Sequence, residues 1–190
     1  MTISNVILVL TTTCTALMAG LFYSYSYSVV PGLKSLNDAE YVASMQSINK
    51  AIQNPVFFTC FFGSLLLLPV SAYLNYFQNP PLRFWLLLTA TIIYLTGVFG
   101  VTVFGNIPLN NVLEKFNLQN ASKDAISLQR TLFEKPWNNL NTIRTMSSIL
   151  SLVLIIIACI NSGKSDLAFS KMTFVFFIPH FQIGVPTPVH

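Results

Sequence analysis

Four long apolar stretches dominate the sequence, each of a length that can cross a lipid bilayer. They cover about residues 5–30, 55–77, 83–105 and 137–160, and a spanning helix needs roughly 20 apolar residues. Only 8% of the residues are charged and the mean hydropathy is +0.63, whereas roughly 25% are charged in an ordinary soluble domain. The sequence therefore predicts an all-α fold, an integral membrane four-helix bundle with short extramembrane amphipathic helices.

This pattern indicates a multi-pass protein of the cell membrane, in contact with membrane lipids. Residues 1–163 are expected to form one four-span membrane domain, because 190 residues leave no room for a separate soluble domain. A polar turn at residues 78–81 should direct the third span back along the second. Both termini would then share one side of the membrane and the two long connections the other. The tail, residues 164–190, has an apolar run too short to span and is predicted to be interfacial or poorly ordered.

Small residues indicate where helices approach closely. A stripe of them recurs every four residues in the first span, at Thr12, Ala16, Gly20, Ser24 and Ser28. Three glycines in the third span, Gly97, Gly100 and Gly105, are further candidates. We predict that both sets pack against neighbouring helices. Pro31 and Gly32 are expected to end the first helix.

The connection at residues 35–54 has the pattern of a short amphipathic helix. Asn37 followed by Glu40 resembles a capping box. The side chains that share its apolar face are Tyr41, Met45, Ile48 and Ile52. We expect this helix to lie on or just outside the membrane.

Several functional classes are disfavoured by the distribution of polar residues. The ten basic residues are scattered, so no nucleic-acid partner is expected. The predicted spans contain no Asp or Glu, which argues against proton-coupled transport. The two histidines, His180 and His190, both lie in the tail, and the three cysteines lie apart in apolar stretches. We therefore expect no metal site and no cofactor.

Polar residues of the fourth span lie on one helical face. The positions are Trp137, Asn141, Arg144, Ser148 and Ser151, spaced by four, three, four and three residues. This face should point into the bundle, because an unpaired guanidinium directed at lipid costs roughly 2.5 kcal/mol or more. The alternative is that Arg144 extends to the lipid headgroups and Asn141 only caps or bridges helices.

A second polar cluster follows the third span. It contains Asn106, Pro108 and Asn110, with Pro108 expected to break the helix. It should begin an extramembrane connection that reaches Trp137 and includes a short helix at residues 122–134. Since antiparallel spans bring both clusters to one membrane face, we predict a single site. Its lining would be Asn106, Asn110, Trp137, Asn141 and Arg144.

Short motifs at these positions resemble the anthrone oxygenase-like membrane family, over about residues 10–160. They are the residues 28–31, 45–49 and 54–55, the stretch 106–110, and Trp137 with Asn141, Arg144 and Thr145. Many bacterial members of that family are known only as a domain of unknown function. The resemblance implies a four-span bundle, and in fungal members the oxidation of an anthrone to an anthraquinone by dioxygen with no evident metal.

The resemblance also implies roles for the clustered residues. Arg144, Asn141 and Asn110 would be catalytic, stabilising negative charge on the substrate oxygen. Asn106, Trp137 and Pro108 would bind the substrate, an anthrone or another phenolic or quinol aromatic. The spans offer no His, Asp or Glu as a general base.

Two other functions stay open at this point. The first is a non-catalytic multi-pass membrane protein that binds a lipid, a small aromatic or quinone ligand, or a partner at the same polar layer. The second is a channel or transporter, which is disfavoured because the aliphatic fourth span interrupts any continuous polar path.

Overall fold

The computed structural model describes residues 2–76 and 81–161. These residues contain five helices and no strand: α1 Ile3–Lys34, α2 Asp38–Ala51, α3 Pro55–Tyr76, α4 Leu82–Lys115 and α5 Lys123–Asn161. All except α2 are long and apolar enough to cross a membrane. The predicted four-span helical fold is confirmed. Most of the predicted turn at 78–81 and the whole tail at 164–190 lie outside the described residues.

The four long helices form a closed ring in which α1 packs on α3, α3 on α4, α4 on α5 and α5 on α1. Side-chain pairs show that these neighbours run antiparallel. On α1 and α3, for example, Ser4 meets Asn75 whereas Thr15 meets Ser64. The start of α1 and the end of α5 therefore share one end of the bundle, as predicted.

The helix α1 packs on α3 through hydroxyl groups. The Thr11 Oγ1 and Ser71 Oγ atoms are 2.7 Å apart, and Thr15 Oγ1 donates to Ser64 Oγ at 3.5 Å. Thr11 also donates to the carbonyl of Ile7 on its own helix at 2.7 Å. Lipid provides no hydrophobic force between helices, so such polar contacts and close packing hold the bundle together.

The predicted small-residue stripe of α1 packs only at its start, where Thr12 and Ala16 are half-buried and Thr12 Oγ1 lies 3.9 Å from Cys159 Sγ of α5. Gly20, Ser24 and Ser28 are exposed, and nothing lies within 4 Å of a Cβ built at Gly20. A repeat of four residues drifts by about 40° per step on a helix of 3.6 residues per turn, so the stripe winds out of the interface. The buried face instead contains Leu8, Thr11, Thr15, Met18 and Phe22.

Two of the three glycines in α4 do mark close approaches to α5. A Cβ at Gly97 would collide with the Ser147 side chain, and one at Gly105 would come within 2.9 Å of Leu140. Gly100 contacts no neighbouring helix in this way. Glycine at positions 97 and 105 therefore sets the distance between α4 and α5.

The two prolines expected to end helices do not end them. Pro31 and Pro108 each follow a wide π turn, at Tyr25–Val29 and Thr102–Asn106. In these turns the amide of Val30 donates to the Tyr25 carbonyl and that of Ile107 to the Thr102 carbonyl. The wider turn relieves the clash that a proline ring would make with the preceding turn.

The connection predicted at residues 106–137 is consequently much shorter. Helix α4 continues to Lys115, and the helix expected at residues 122–134 is the beginning of α5. Between them lies only a short 3₁₀ turn, Leu118–Asn120. Asn106 and Asn110 therefore lie on helix α4 and Trp137 lies on helix α5, and none of the three is in a loop.

The amphipathic helix α2 is confirmed, including its capping box. Asn37 Oδ1 accepts from the Glu40 amide at 3.0 Å, and the Glu40 carboxylate accepts from the Asn37 amide at 3.2 Å. Its apolar face packs on α4 and α5, and Gln46 donates to the carbonyls of Leu113 and Phe116 at 2.8 and 2.9 Å. Helix α2 thus covers one end of the bundle.

Arg130 of α5 holds the turn before α2 in place. It donates to the Leu36 carbonyl at 2.8 Å, to Asp38 at 3.1 Å and to Glu134 at 2.7 Å. Its guanidinium also lies 4.5 Å from the centre of the Tyr41 ring. Burial, with the Glu134 charge nearby, raises the pKa of the Tyr41 hydroxyl above its usual range, so the ring beneath Arg130 stays neutral.

Candidate functional site

A cavity of about 340 Å³ lies under α2, where all five helices contribute side chains. Much of its wall is aromatic: Phe22, Phe57, Phe58, Phe61, Phe62, Phe99 and Trp137. Five of the six predicted site residues line it: Asn106, Asn110, Trp137, Asn141 and Arg144. The sixth, Pro108, is exposed and is not among the lining residues.

Arg144 lies inside the bundle with 6% of its surface exposed. Its guanidinium is 4.6 Å from the centre of the Phe22 ring and 5.3 Å from that of Trp137. Electron-rich ring faces attract a cation at such distances. This position excludes the arrangement in which Arg144 extends to the headgroups.

The charge of Arg144 has no counter-ion in the part of the chain that the structure describes. The cavity lining contains no Asp or Glu, and the ion pairs of this part all involve Arg130. Arg144 donates to Asn141 Oδ1 at 2.8 Å and to Thr102 Oγ1 at 3.5 Å, and its Nε has no partner. A buried cation that lacks a paired anion favours an electron-rich oxygen from a ligand.

Asn106 presents a second unsatisfied group to the cavity. It is 1% exposed, and neither its carboxamide oxygen nor its nitrogen has a hydrogen-bond partner among the described residues. Asn106 ends the π turn of α4, and such turns are frequent at functional sites. Because buried polar side chains are nearly always hydrogen-bonded, Asn106 marks a position where a ligand would complete the structure.

The carboxamide of Asn141 is occupied by the protein. Its nitrogen donates to Ser26 Oγ at 2.8 Å, and Ser26 Oγ lies 2.9 Å from Thr145 Oγ1. Its oxygen accepts the bond from Arg144. Asn141 therefore orients Arg144, and these bonds use one of its two N–H donors and one of its two oxygen lone pairs.

Asn110 orients Trp137, as Asn141 orients Arg144. The Trp137 indole N–H donates to Asn110 Oδ1 at 2.8 Å. The centre of the indole lies 5.0 Å from that of Tyr25 and 6.1 Å from that of Phe133. These contacts fix an aromatic surface beside Arg144.

The site predicted from the sequence omitted five polar residues that line the cavity, which are Tyr25, Asn49, Gln53, Thr102 and Asn111. Asn49 is 6% exposed and its Nδ2 has no partner among the described residues. It follows Met45 by four residues on the apolar face of α2, so a polar residue on that face was an available signal. Nothing in the sequence distinguishes Tyr25 from its exposed neighbours.

The comparisons with known proteins give one match. The family model described as anthrone oxygenase matches residues 57–154, just over half of the chain. The matched part contains Asn106, Asn110, Trp137, Asn141 and Arg144, whereas Tyr25 and Asn49 precede it. No curated protein and no solved structure matches the chain.

Proposed function

The chain belongs to the anthrone oxygenase family, and on this premise we propose that it is a cofactor-independent oxygenase of the cell membrane. Its substrates would be anthrones or other phenolic or quinol aromatics, with dioxygen as the oxidant. The observation that supports this most strongly is the buried Arg144, which has no counter-ion among the described residues and faces an aromatic cavity beside the unpartnered Asn106.

The reaction needs an anion that the cavity is suited to hold. An anthrone that loses a proton from its central carbon becomes a delocalised anion with much of its charge on oxygen. Arg144 and Asn106 would donate hydrogen bonds to that oxygen, while Trp137 and Phe22 would contact the ring faces. Asn141 and Asn110 would keep Arg144 and Trp137 in position.

The electrons and atoms balance without a cofactor. The anion transfers one electron to dioxygen, and the resulting radical and superoxide combine to form a carbon–oxygen bond. The peroxide then loses the second hydrogen of that carbon as a proton while its O–O bond breaks. The products are the quinone carbonyl and one water molecule, so one anthrone and one dioxygen give one anthraquinone and one water.

The residues that line the cavity include no carboxylate and no imidazole. Carbon deprotonation would therefore depend on stabilisation of the anion by Arg144, with water as the proton acceptor. The same feature favours a second candidate function, in which the site binds a lipid, a quinone or a partner without turnover. The two candidates differ in whether the protein consumes dioxygen.

Dioxygen uptake by the protein in lipid nanodiscs, with 1,8-dihydroxyanthrone as the substrate, would test the proposal. After subtraction of spontaneous oxidation, Arg144→Gln should lower the rate by about 10²–10³-fold, the usual effect of removing an oxyanion donor. Lys135→Gln is the matched control, since Lys135 is an exposed cation of the same helix. Equal uptake by wild type and Arg144→Gln would overturn the proposal, and ligand binding without uptake would favour the second candidate.

A further inference from the structure

Helices α3 and α4 separate towards the end of the bundle that holds the cavity. The backbone of α3 packs closely against the first part of α4, up to Ile93, and is farther from the rest of α4. Beyond Ile93 the contacts include the bond from the Tyr94 hydroxyl to the Phe61 carbonyl and the Phe61 and Phe99 rings, whose centres are 5.8 Å apart. In that second part α4 contains its two π turns, Tyr94–Gly100 and Thr102–Asn106. The gap between the two helices is one side of the cavity.

The side chains at this gap are at once exposed and part of the cavity wall. Phe58 and Phe62 of α3 are 40% and 44% exposed, and Ile107 of α4 is 43% exposed. Exposed apolar residues are ordinary on a membrane span, because they contact lipid. Here the same residues also line the cavity, so the cavity reaches the lateral surface of the bundle between α3 and α4.

Access to the cavity from the end of the bundle that α2 covers is more obstructed than access through this gap. Ile48 and Asn49 of α2, and Ile52 directly after it, line the cavity from the end of the bundle, and none of them is exposed. Gln46 and Arg130 fasten α2 to the helices beneath it. Only two exposed polar residues, Gln53 and Asn111, belong to the lining in the described chain.

We propose that the gap between α3 and α4, bounded by Phe58, Phe62 and Ile107, is a lateral portal through which the ligand passes from the bilayer. This inference rests on the proposed function for the ligand class, a flat aromatic with an oxygenated end. Such a molecule concentrates in the hydrocarbon layer. Its rings can slide between phenylalanine side chains, and its oxygen then meets Arg144 and Asn106 within the cavity.

A portal controls the rates of association and dissociation together, whereas a binding contact mainly changes dissociation. In a Trp85→Phe background Trp137 is the only tryptophan, so its fluorescence reports occupancy of the cavity. The probe is 1,8-dihydroxyanthraquinone, delivered in lipid vesicles to protein in nanodiscs and followed by stopped-flow. Ile107→Phe should slow association and dissociation several-fold by the same factor, and Phe62→Ala should accelerate both.

Two control variants distinguish passage through this gap from a general effect of added bulk and from entry by way of water. Ile92→Phe makes the same substitution on α4 at an exposed position outside the cavity and should leave both rates unchanged. Gln53→Phe adds bulk at one of the two exposed polar residues of the lining and should have little effect on either rate. Unchanged rates in Ile107→Phe and Phe62→Ala, or a larger effect of Gln53→Phe, would overturn the portal. Binding needs no dioxygen, so an absence of turnover would overturn the proposed function and leave this test intact.

Discussion

Arg144 donates a hydrogen bond to Asn141 Oδ1 at 2.8 Å, one turn earlier on the same helix, and this bond links the buried charge to α1. The Asn141 amide continues the network to Ser26. A neutral carboxamide orients the guanidinium without neutralising it, which leaves the positive charge for a ligand. We therefore expect Asn at position 141, rather than Asp, to matter for ligand binding.

Asn141→Asp tests this role of the carboxamide. A carboxylate at this position would pair with Arg144, so the fold should keep its stability while the affinity for anionic ligands falls. Thermal unfolding and binding of 1,8-dihydroxyanthraquinone above the pH at which the probe ionises would measure the two effects. Stronger binding of the anion by the variant would contradict the role given to Asn141.

Asn106→Leu should separate stability from binding. Neither atom of the carboxamide has a partner among the described residues, and such a buried group costs about 1–3 kcal/mol. The leucine variant should therefore unfold at a higher temperature than the wild type and bind the anthraquinone probe more weakly. A loss of stability together with unchanged binding would show that Asn106 is structural.

Glycine positions in the bundle should differ in their tolerance of a methyl group. Gly97→Ala should lower the free energy of unfolding by about 1–3 kcal/mol, because its Cβ would collide with Ser147. Gly20→Ala, where nothing lies within 4 Å, is the control and should stabilise the fold slightly, by about 0.4–1 kcal/mol. Adding Ser147→Gly to Gly97→Ala should restore stability, and a failure to do so would refute the contact.

Arg130→Met should loosen α2 without unfolding the spans. The substitution removes the bonds to Leu36, Asp38 and Glu134 and keeps most of the apolar stem. Hydrogen exchange should become faster at residues 38–51 and stay unchanged in α3. Lys135→Met, at an exposed position on the same helix, is the control. Equal exchange in both variants would show that Arg130 does not hold α2 in place.

Sequence patterns that follow the helical period predicted the buried faces, and patterns that depart from it did not. The four-three spacing of Trp137, Asn141 and Arg144 follows the helical period, and the structure places all three on one cavity wall. The stripe that contains Gly20 repeats every four residues, departs from that period and winds away from the interface. A count of small residues could not show this without the angle between successive positions.

The π turns account for most of the remaining differences. Prolines normally interrupt a helix, so Pro31 and Pro108 predicted helix ends where the chain continues through a wider turn. No residue type specifies a π turn, and its formation depends on packing around it. Asn106, which the sequence predicted as a lining residue, lies in the cavity at the end of the π turn before Pro108.

We propose that Arg144 and Asn106 favour the anion of a bound aromatic substrate. Anaerobic absorption spectra of 1,8-dihydroxyanthrone bound to the protein, recorded as a function of pH, measure that preference without any turnover. We expect this preference to make the bound anthrone ionise at a lower pH with the wild type than in empty nanodiscs, and Arg144→Gln to abolish the shift. A bound anthrone that stays neutral in the wild type over the same range, or an equal shift in Arg144→Gln, would contradict this proposal.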